Sequence, residues 1–215
     1  MAALPPELTP SVPFRIFLLS PADCSGKRAR LLQKPDPGHE LGRRLHADGA
    51  ALGEVFAFVS SLYFRGKLAY ARAFARPPSG QEGAFVITPC DGLRNPETSV
   101  RLEDLRRYAG VPVDAEEKRY REPLLRDLRA LAPSWAEAEV VLLGSIASPK
   151  YVDLLTSVLG ARLHFPSDFV GRGDMSRGGL MLRCVDARRE LPYVPLLGAE
   201  RRGQRPARLP PAKSS

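Results

Sequence analysis

Arg15-Ile-Phe-Leu-Leu-Ser-Pro21 is a short, almost wholly apolar run closed by a serine and a proline. A strand with one wet face alternates apolar and polar residues, whereas a strand covered on both faces of a parallel sheet reads as a continuous apolar run. The stretch therefore predicts a central parallel strand over residues 15–19. Ala84-Phe-Val-Ile-Thr88, stopped by Pro89, and Val140-Val-Leu-Leu143, stopped by Gly144, have the same character and predict its neighbours. Arg162-Leu-His-Phe165 before Pro166 predicts a shorter fourth strand, and Leu180 to Val185 reads as a fifth apolar segment. Tyr193 to Leu197 reads as an edge strand, because Pro195 has no N–H to give a ladder.

Helical periodicity fills the intervals. Residues 39–48 predict a short helix. Leu52 to Ala75 predict a long one, with Leu52, Val55, Phe56, Val59, Leu62, Tyr63, Tyr70 and Phe74 at steps of three and four. Gly66 places an expected break near Tyr63 to Gly66, since glycine costs about 1 kcal/mol relative to alanine inside a helix. Helices are also expected over Leu102 to Tyr108, through Leu124 to Leu131 after a capping box formed by Asp114 and Glu117, and over Lys150 to Leu159. Strands separated by helices predict an α/β fold, a three-layer α/β/α sandwich with a mostly parallel central sheet of four to five strands. The single domain spans residues 14–200, between an extended proline-rich arm (1–13) and a disordered Pro/Arg-rich tail (201–215).

Composition narrows the class. A chain of 215 residues, 44% hydrophobic, is sufficient for one sizeable core. The net charge is +8, but Arg201, Arg202, Arg205, Arg208 and Lys213 supply five of those charges in a tail without acids, leaving the body mildly basic. Three cysteines without a C-x-x-C spacing suggest neither a disulfide framework nor a zinc site, and fit a reducing cytoplasm. No signal-like leader or membrane-length apolar run is present, so no membrane partner, and no metal or cofactor, is expected.

In a parallel sheet every strand exits on one edge, where ligands bind. The four exits here carry Cys24, Ser25, Gly26 and Lys27; Thr88 and Asp91; Gly144 and Ser145; and Phe169-Val-Gly-Arg-Gly-Asp-Met-Ser-Arg-Gly-Gly179. The last holds four glycines, two arginines, an aspartate and a serine, and reads as an anion-binding loop. Its Gly171, Arg172, Gly173, Ser176 and Arg177 are expected to hold a phosphate, with Arg172 and Arg177 as the clamp. Asp174 and Asp91 are the candidate general acid or base, with Lys27 as a catalytic or charge-supplying lysine. Gly26-Lys27 is not a phosphate-loop motif, because Pro21 and Arg28 stand where a glycine and a Ser/Thr belong. Arg65 and Lys67, flanked by aromatics in Tyr63-Phe-Arg-Gly-Lys-Leu-Ala-Tyr70, read either as a nucleic-acid contact or as a basic face over a packed one.

Three of these segments together resemble known families. The strand running into Cys24-Ser25-x-Lys27, the helical Leu62 to Tyr70, and Thr88-Pro89 followed by Gly92-Leu93 and Pro96 resemble small bacterial domains related to the peroxide-stress DNA-binding proteins. They are similar also to the uracil-DNA-glycosylase-like accessory domain of archaeosine tRNA-modifying enzymes. The resemblance covers residues 14–96. It implies an α/β/α fold and an association with nucleic acid or modified bases; the glycosylase Gly-x-Asp-Pro-Gly and His-Pro-Ser-Pro signatures do not occur. The combined expectation is a nucleotide- or nucleic-acid-associated protein with an enzyme-like site. The alternatives are a non-catalytic nucleic-acid-binding protein and a scaffold domain.

Overall fold

The computed structural model describes residues 13–147, 149–204 and 206–207. The proline-rich arm before Pro13 and most of the basic tail lie outside the described residues. The elements run β1 (Phe14–Leu19), α1 (Lys27–Leu32), α2 (Glu40–Ala47), β2 (Ala50–Ala51), α3 (Leu52–Phe74), β3 (Ala84–Ile87), β4 (Leu93–Arg94), β5 (Ser99–Val100), α4 (Leu102–Ala109) and α5 (Lys118–Leu131). They continue with β6 (Ala138–Leu143), α6 (Pro149–Leu159), β7 (Leu163–Pro166), α7 (Asp174–Asp186) and β8 (Tyr193–Pro195).

A six-stranded sheet has the order β4-β3-β1-β6-β7-β8. β1 pairs in parallel with β3 and β6, and β6 with β7, while β4 and β8 close the edges antiparallel. One edge strand more than expected is present, because Gly92 turns the chain at once and pairs Leu93 with Ile87. A separate two-stranded ladder joins β2 and β5. From β1 the chain builds to one side as β3 and to the other as β6, so the order reverses at the centre of the sheet.

Side chains of β1 alternate between two cores. Phe17 and Leu19 join Val86, Val141 and Leu143 in a cluster with residues of α1–α4 and α7. Ile16 and Leu18 join Phe85, Ile87, Val140 and Leu142 in a cluster with residues of α5 and α6. Both faces are therefore covered, which is why these strands read as unbroken apolar runs. Each such side chain contributes about 1.5–3 kcal/mol on burial.

The largest correction concerns Phe169 to Gly179. It is not a phosphate loop followed by an apolar strand-like segment: from Asp174 it is helix, thirteen residues through Asp186. Gly178 lies against the α3 backbone, where a Cβ would come 2.6 Å from the Leu62 carbonyl oxygen, and a Cβ on Gly66 would come 2.6 Å from the Gly178 carbonyl oxygen. These two glycines let α3 and α7 approach backbone to backbone. Gly66 consequently does not break α3. The interruption falls at Ser61 (φ 49°, ψ −131°). Two smaller corrections concern the caps. Glu117 caps α5 itself, its carboxylate accepting from the Arg119 N–H, so it is not the far member of a box with Asp114. Lys27, expected in a loop, opens α1.

At the amino-terminal edge of the sheet Arg15, 7% exposed, forms ion pairs with Glu139 and Glu190, and Glu190 also pairs with Arg76. The Arg15 guanidinium lies 4.5 Å from the Tyr193 ring centroid, and the hydroxyls of Tyr193 and Tyr70 hydrogen-bond at 2.6 Å.

Candidate functional site

The carboxyl edge of the sheet holds a cavity of about 810 Å³. The exit of β1 supplies Ser20 to Ser25, that of β3 Pro89, and that of β6 Ser145; Lys150 and Tyr151 of α6, Ser60 and Tyr63 of α3, Tyr108 to Val113, and Asp174 complete the wall. It opens where strand order reverses, the position at which open α/β sheets receive ligands. Its size is that of a small-molecule or single-nucleotide site.

Ser20 lines the floor, and Lys67 lies buried behind it. Ser20 directly follows β1, and its N–H donates to the Leu143 carbonyl at 3.2 Å, tying the β1 and β6 exits together. Lys67 of α3 is fully buried, with Nζ 2.6 Å from the Ser20 carbonyl oxygen and 2.9 Å from Ser20 Oγ. The rings of Tyr63 and Phe64 flank it at 4.5 and 4.7 Å. Among the described residues no carboxylate forms an ion pair with it. Burial lowers the Lys67 pKa to about 7, with Asp174 pulling it up and Arg177 pushing it down.

The surroundings of Ser20 are shaped by absence of a side chain. A Cβ on Gly144 would come within 3.1 Å of Ser20 Oγ and 3.0 Å of the Tyr151 hydroxyl, so only glycine leaves room for both. Tyr151 donates to the Ser145 carbonyl at 2.8 Å. The Tyr63 hydroxyl is buried without a hydrogen-bond partner among the described residues. Arg177 lies beside it without hydrogen-bond alignment; burial raises the Tyr63 pKa, and Arg177 opposes the shift. An unmatched buried hydroxyl costs about 1–3 kcal/mol. Tyr63 itself lines the cavity.

Apart from Lys67, against Ser20, and Gly171, Arg172, Gly173 and Ser176, around an adjoining hollow, the residues singled out from sequence fall into three sets. Cys24, Ser25, Ser145 and Asp174 line the cavity, and Gly144 shapes its floor. The Cys24 thiol is buried, and desolvation, aided by Asp23 and Cys90, raises its pKa to about 12, so it is a thiol and not a nucleophile. Ser25 donates to Asp23 through its hydroxyl (2.6 Å) and its N–H (2.9 Å), which lowers the Asp23 pKa and keeps that carboxylate ionised in the wall. A second set is occupied elsewhere. Asp91 accepts from both terminal nitrogens of Arg107 (2.7 and 2.8 Å) and from the Tyr108 hydroxyl (2.8 Å), which fixes Tyr108 in the wall. Thr88 is buried and donates to the Gly92 carbonyl, shaping the turn. Arg177, 6% exposed, donates twice to the Phe169 carbonyl and pairs with Asp174 at 3.3 Å, so it is a strut of α7 and does not form a clamp with Arg172. The third set, Lys27, Arg65 and Gly26, does not line the cavity, and both cations are exposed. Arg65 and Lys67 are two positions apart on a helix and so face opposite ways.

Two further hollows adjoin the cavity. One, of about 760 Å³, shares Ser145 and Asp174 with it and is lined by Gly171, Arg172, Gly173, Ser176, Arg201 and Arg202. The other, of about 540 Å³, shares Gly110 and Val111 and is lined by Cys90, Arg106, Arg107 and Arg119. Arg107, Arg119 and Arg201 are paired with carboxylates. Among the described residues Arg106, Lys150, Arg172 and Arg202 have no carboxylate partner. Arg172 donates to the Asp168 carbonyl and to Ser176 Oγ, which orients it without neutralising it.

Ser20, Tyr63 and Tyr151 escaped the sequence reading. Ser20 reads there as a strand stop. Tyr63 reads as a core residue, and its helical spacing to Lys67 and Tyr70 (i, i+4, i+7) is the signal that puts the lysine on the buried stripe. Comparison with family models, with curated proteins and with solved structures finds no match. Among the described residues there is no cluster of three potential metal ligands and no helix long and apolar enough to cross a membrane.

Proposed function

We propose that this α/β protein, with a sandwich of three layers, binds single-stranded nucleic acid across the carboxyl edge of its sheet, with one nucleotide unit seated in the central cavity. The observation that carries the reading is the arrangement of three connected hollows. A central one, walled by tyrosines and hydroxyls, lies between two that hold arginines without carboxylate partners. A free nucleotide needs one anion site beside its base. Basic hollows on both sides suit a chain whose phosphates run past the cavity, with Tyr63 and Tyr108 in the wall beside the base. The resemblance of residues 14–96 to nucleic-acid-associated families points the same way.

The test is binding of a single-stranded oligonucleotide to the triple variant Arg106→Ala, Arg172→Ala, Arg202→Ala as a function of salt. Each lost phosphate contact on a single strand removes about 0.7 from the log–log salt slope, so the slope is expected to fall by about 2. Unchanged affinity and slope in a folded triple variant refute the proposal. Equal competition by a free mononucleotide would shift the reading to a nucleotide site.

A further inference from the structure

We propose that Ser20 is a nucleophile and Lys67 its general base, forming an acyl-transfer site in the floor of the central cavity that cleaves an ester or amide carried on the sugar or base of the bound nucleotide. The substrate class rests on the nucleic-acid reading above; the Ser20–Lys67 pair does not.

The geometry of Lys67 fits a neutral amine. Such a nitrogen has two N–H bonds and one lone pair. One N–H is used by the Ser20 carbonyl at 2.6 Å, and the other lies among the rings of Tyr63 and Phe64. The lone pair is then left to accept the hydroxyl proton of Ser20, whose Oγ is 2.9 Å away. An ammonium would present a third proton to Ser20 Oγ with no paired carboxylate to balance the charge, which complete burial disfavours. The lowered Lys67 pKa agrees with this state near neutrality. Ser20 is itself only 4% exposed, yet it lines the cavity, and the missing side chain of Gly144 keeps the space beside its Oγ open. Hydroxyl nucleophiles paired with a lysine base are a known variant of the serine triad.

The chemistry balances with water as the only co-reactant. As Ser20 Oγ bonds to the carbonyl carbon, its proton passes to Lys67 Nζ and the C=O electron pair moves to oxygen. Collapse of the tetrahedral species breaks the bond to the leaving oxygen or nitrogen, which takes the proton from Lys67. Water then attacks the Ser20 ester, its proton moving through Lys67, and a carboxylic acid leaves with Ser20 restored. Tyr63 lines the same cavity, and its hydroxyl, buried and without a hydrogen-bond partner among the described residues, is the donor assigned to the developing oxyanion. The arginine-bearing hollows lie to either side, so phosphates held there are displaced from Ser20 and the group that meets it belongs to the base or sugar.

The test uses the full chain and p-nitrophenyl acetate, which carries no phosphate. A burst of one equivalent of p-nitrophenol is expected, with one acetyl group mapped by mass spectrometry to the peptide holding Ser20. Ser20→Ala and Lys67→Met should lose that adduct, and the wild-type labelling rate should rise with pH about a midpoint near 7. Absence of label on Ser20, or wild-type labelling in Lys67→Met, overturns the proposal. If Lys67→Met does not fold, a labelling rate with no inflection below pH 9 overturns it instead. Labelling that persists in the arginine triple variant while oligonucleotide affinity is unaffected would sink only the nucleic-acid reading; oligonucleotide binding without label would sink only this one.

Discussion

The two ends of β1 each hold a buried basic residue, and they treat it in opposite ways. At the amino end Arg15 meets Glu139 and Glu190, with Arg76 sharing Glu190 and the Tyr193 ring stacked on the guanidinium. At the carboxyl end Lys67 meets a carbonyl, a hydroxyl and two rings, and the nearby Tyr63 hydroxyl has no partner among the described residues. Arginine cannot lose its proton, so a buried one must be neutralised; lysine can lose its proton and tolerate burial without an acid. The amino end is a closed structural network. The carboxyl end keeps its polar groups unspent beside a cavity, which is the pattern of a site.

The comparison breaks first at Arg15. Arg15→Met leaves Glu139 and Glu190 without their shared cation, and removing one side of a part-buried pair costs about 3 kcal/mol. Urea denaturation of the variant should show that loss. An unchanged midpoint would mean the amino-end network contributes specificity and no stability.

Lys67→Met should do the reverse. The Lys67 pKa falls from its ordinary 10.5 in the unfolded chain to about 7 in the folded one. Between those values the unfolded chain holds a proton the folded chain lacks, so stability from this group rises with pH, by about 1.4 kcal/mol per pH unit. Below pH 7 both states are protonated and the folded state bears the full cost of the buried charge. Lys67→Met is therefore most stabilising relative to wild type at low pH, and its advantage shrinks across pH 7 to 9. Denaturation at several pH values checks the slope; parallel curves for the two proteins would show that Lys67 does not titrate in that range.

The carboxyl-end site is only partly legible in the sequence, and the reasons are physical. The strands are legible because burial on both faces leaves Arg15 to Leu19, Ala84 to Ile87 and Val140 to Leu143 nearly free of polar residues. Parallel strands then require that their exits share an edge, and so Cys24, Ser145 and Asp174 were found in one place. Gly178 misled, because glycine used for a close helix contact looks in sequence like glycine used for a phosphate turn. Arg177 misled for a related reason: its partner is the Phe169 carbonyl, and backbone acceptors leave no trace in composition. Ser20 was hidden most completely. Nothing local marks a serine after a strand as special until α3, residues away in sequence, places Lys67 against it.

Backbone strain supplies the finest contrast between the ends. Arg188 and Ser61 are the non-glycine residues with positive φ among those described, at 48° and 49°. Arg188 follows α7, where the N–H of Arg189 donates to the Cys184 carbonyl and ends the helix with a left-handed residue in the usual way. Ser61 has no such excuse, since it interrupts α3 between Ser60 and Tyr63, both of which line the cavity. Its φ and ψ favour glycine, and a non-glycine residue held there costs about 1 kcal/mol. Ser61→Gly and Arg188→Gly should each relieve strain and raise Tm by roughly 2–4 °C. They should part in function: Ser61→Gly frees the wall that carries Tyr63 and is expected to weaken oligonucleotide binding, whereas Arg188→Gly leaves it unchanged. Equal affinities in the two variants would assign the Ser61 interruption to helix packing alone and remove strain from the description of the site.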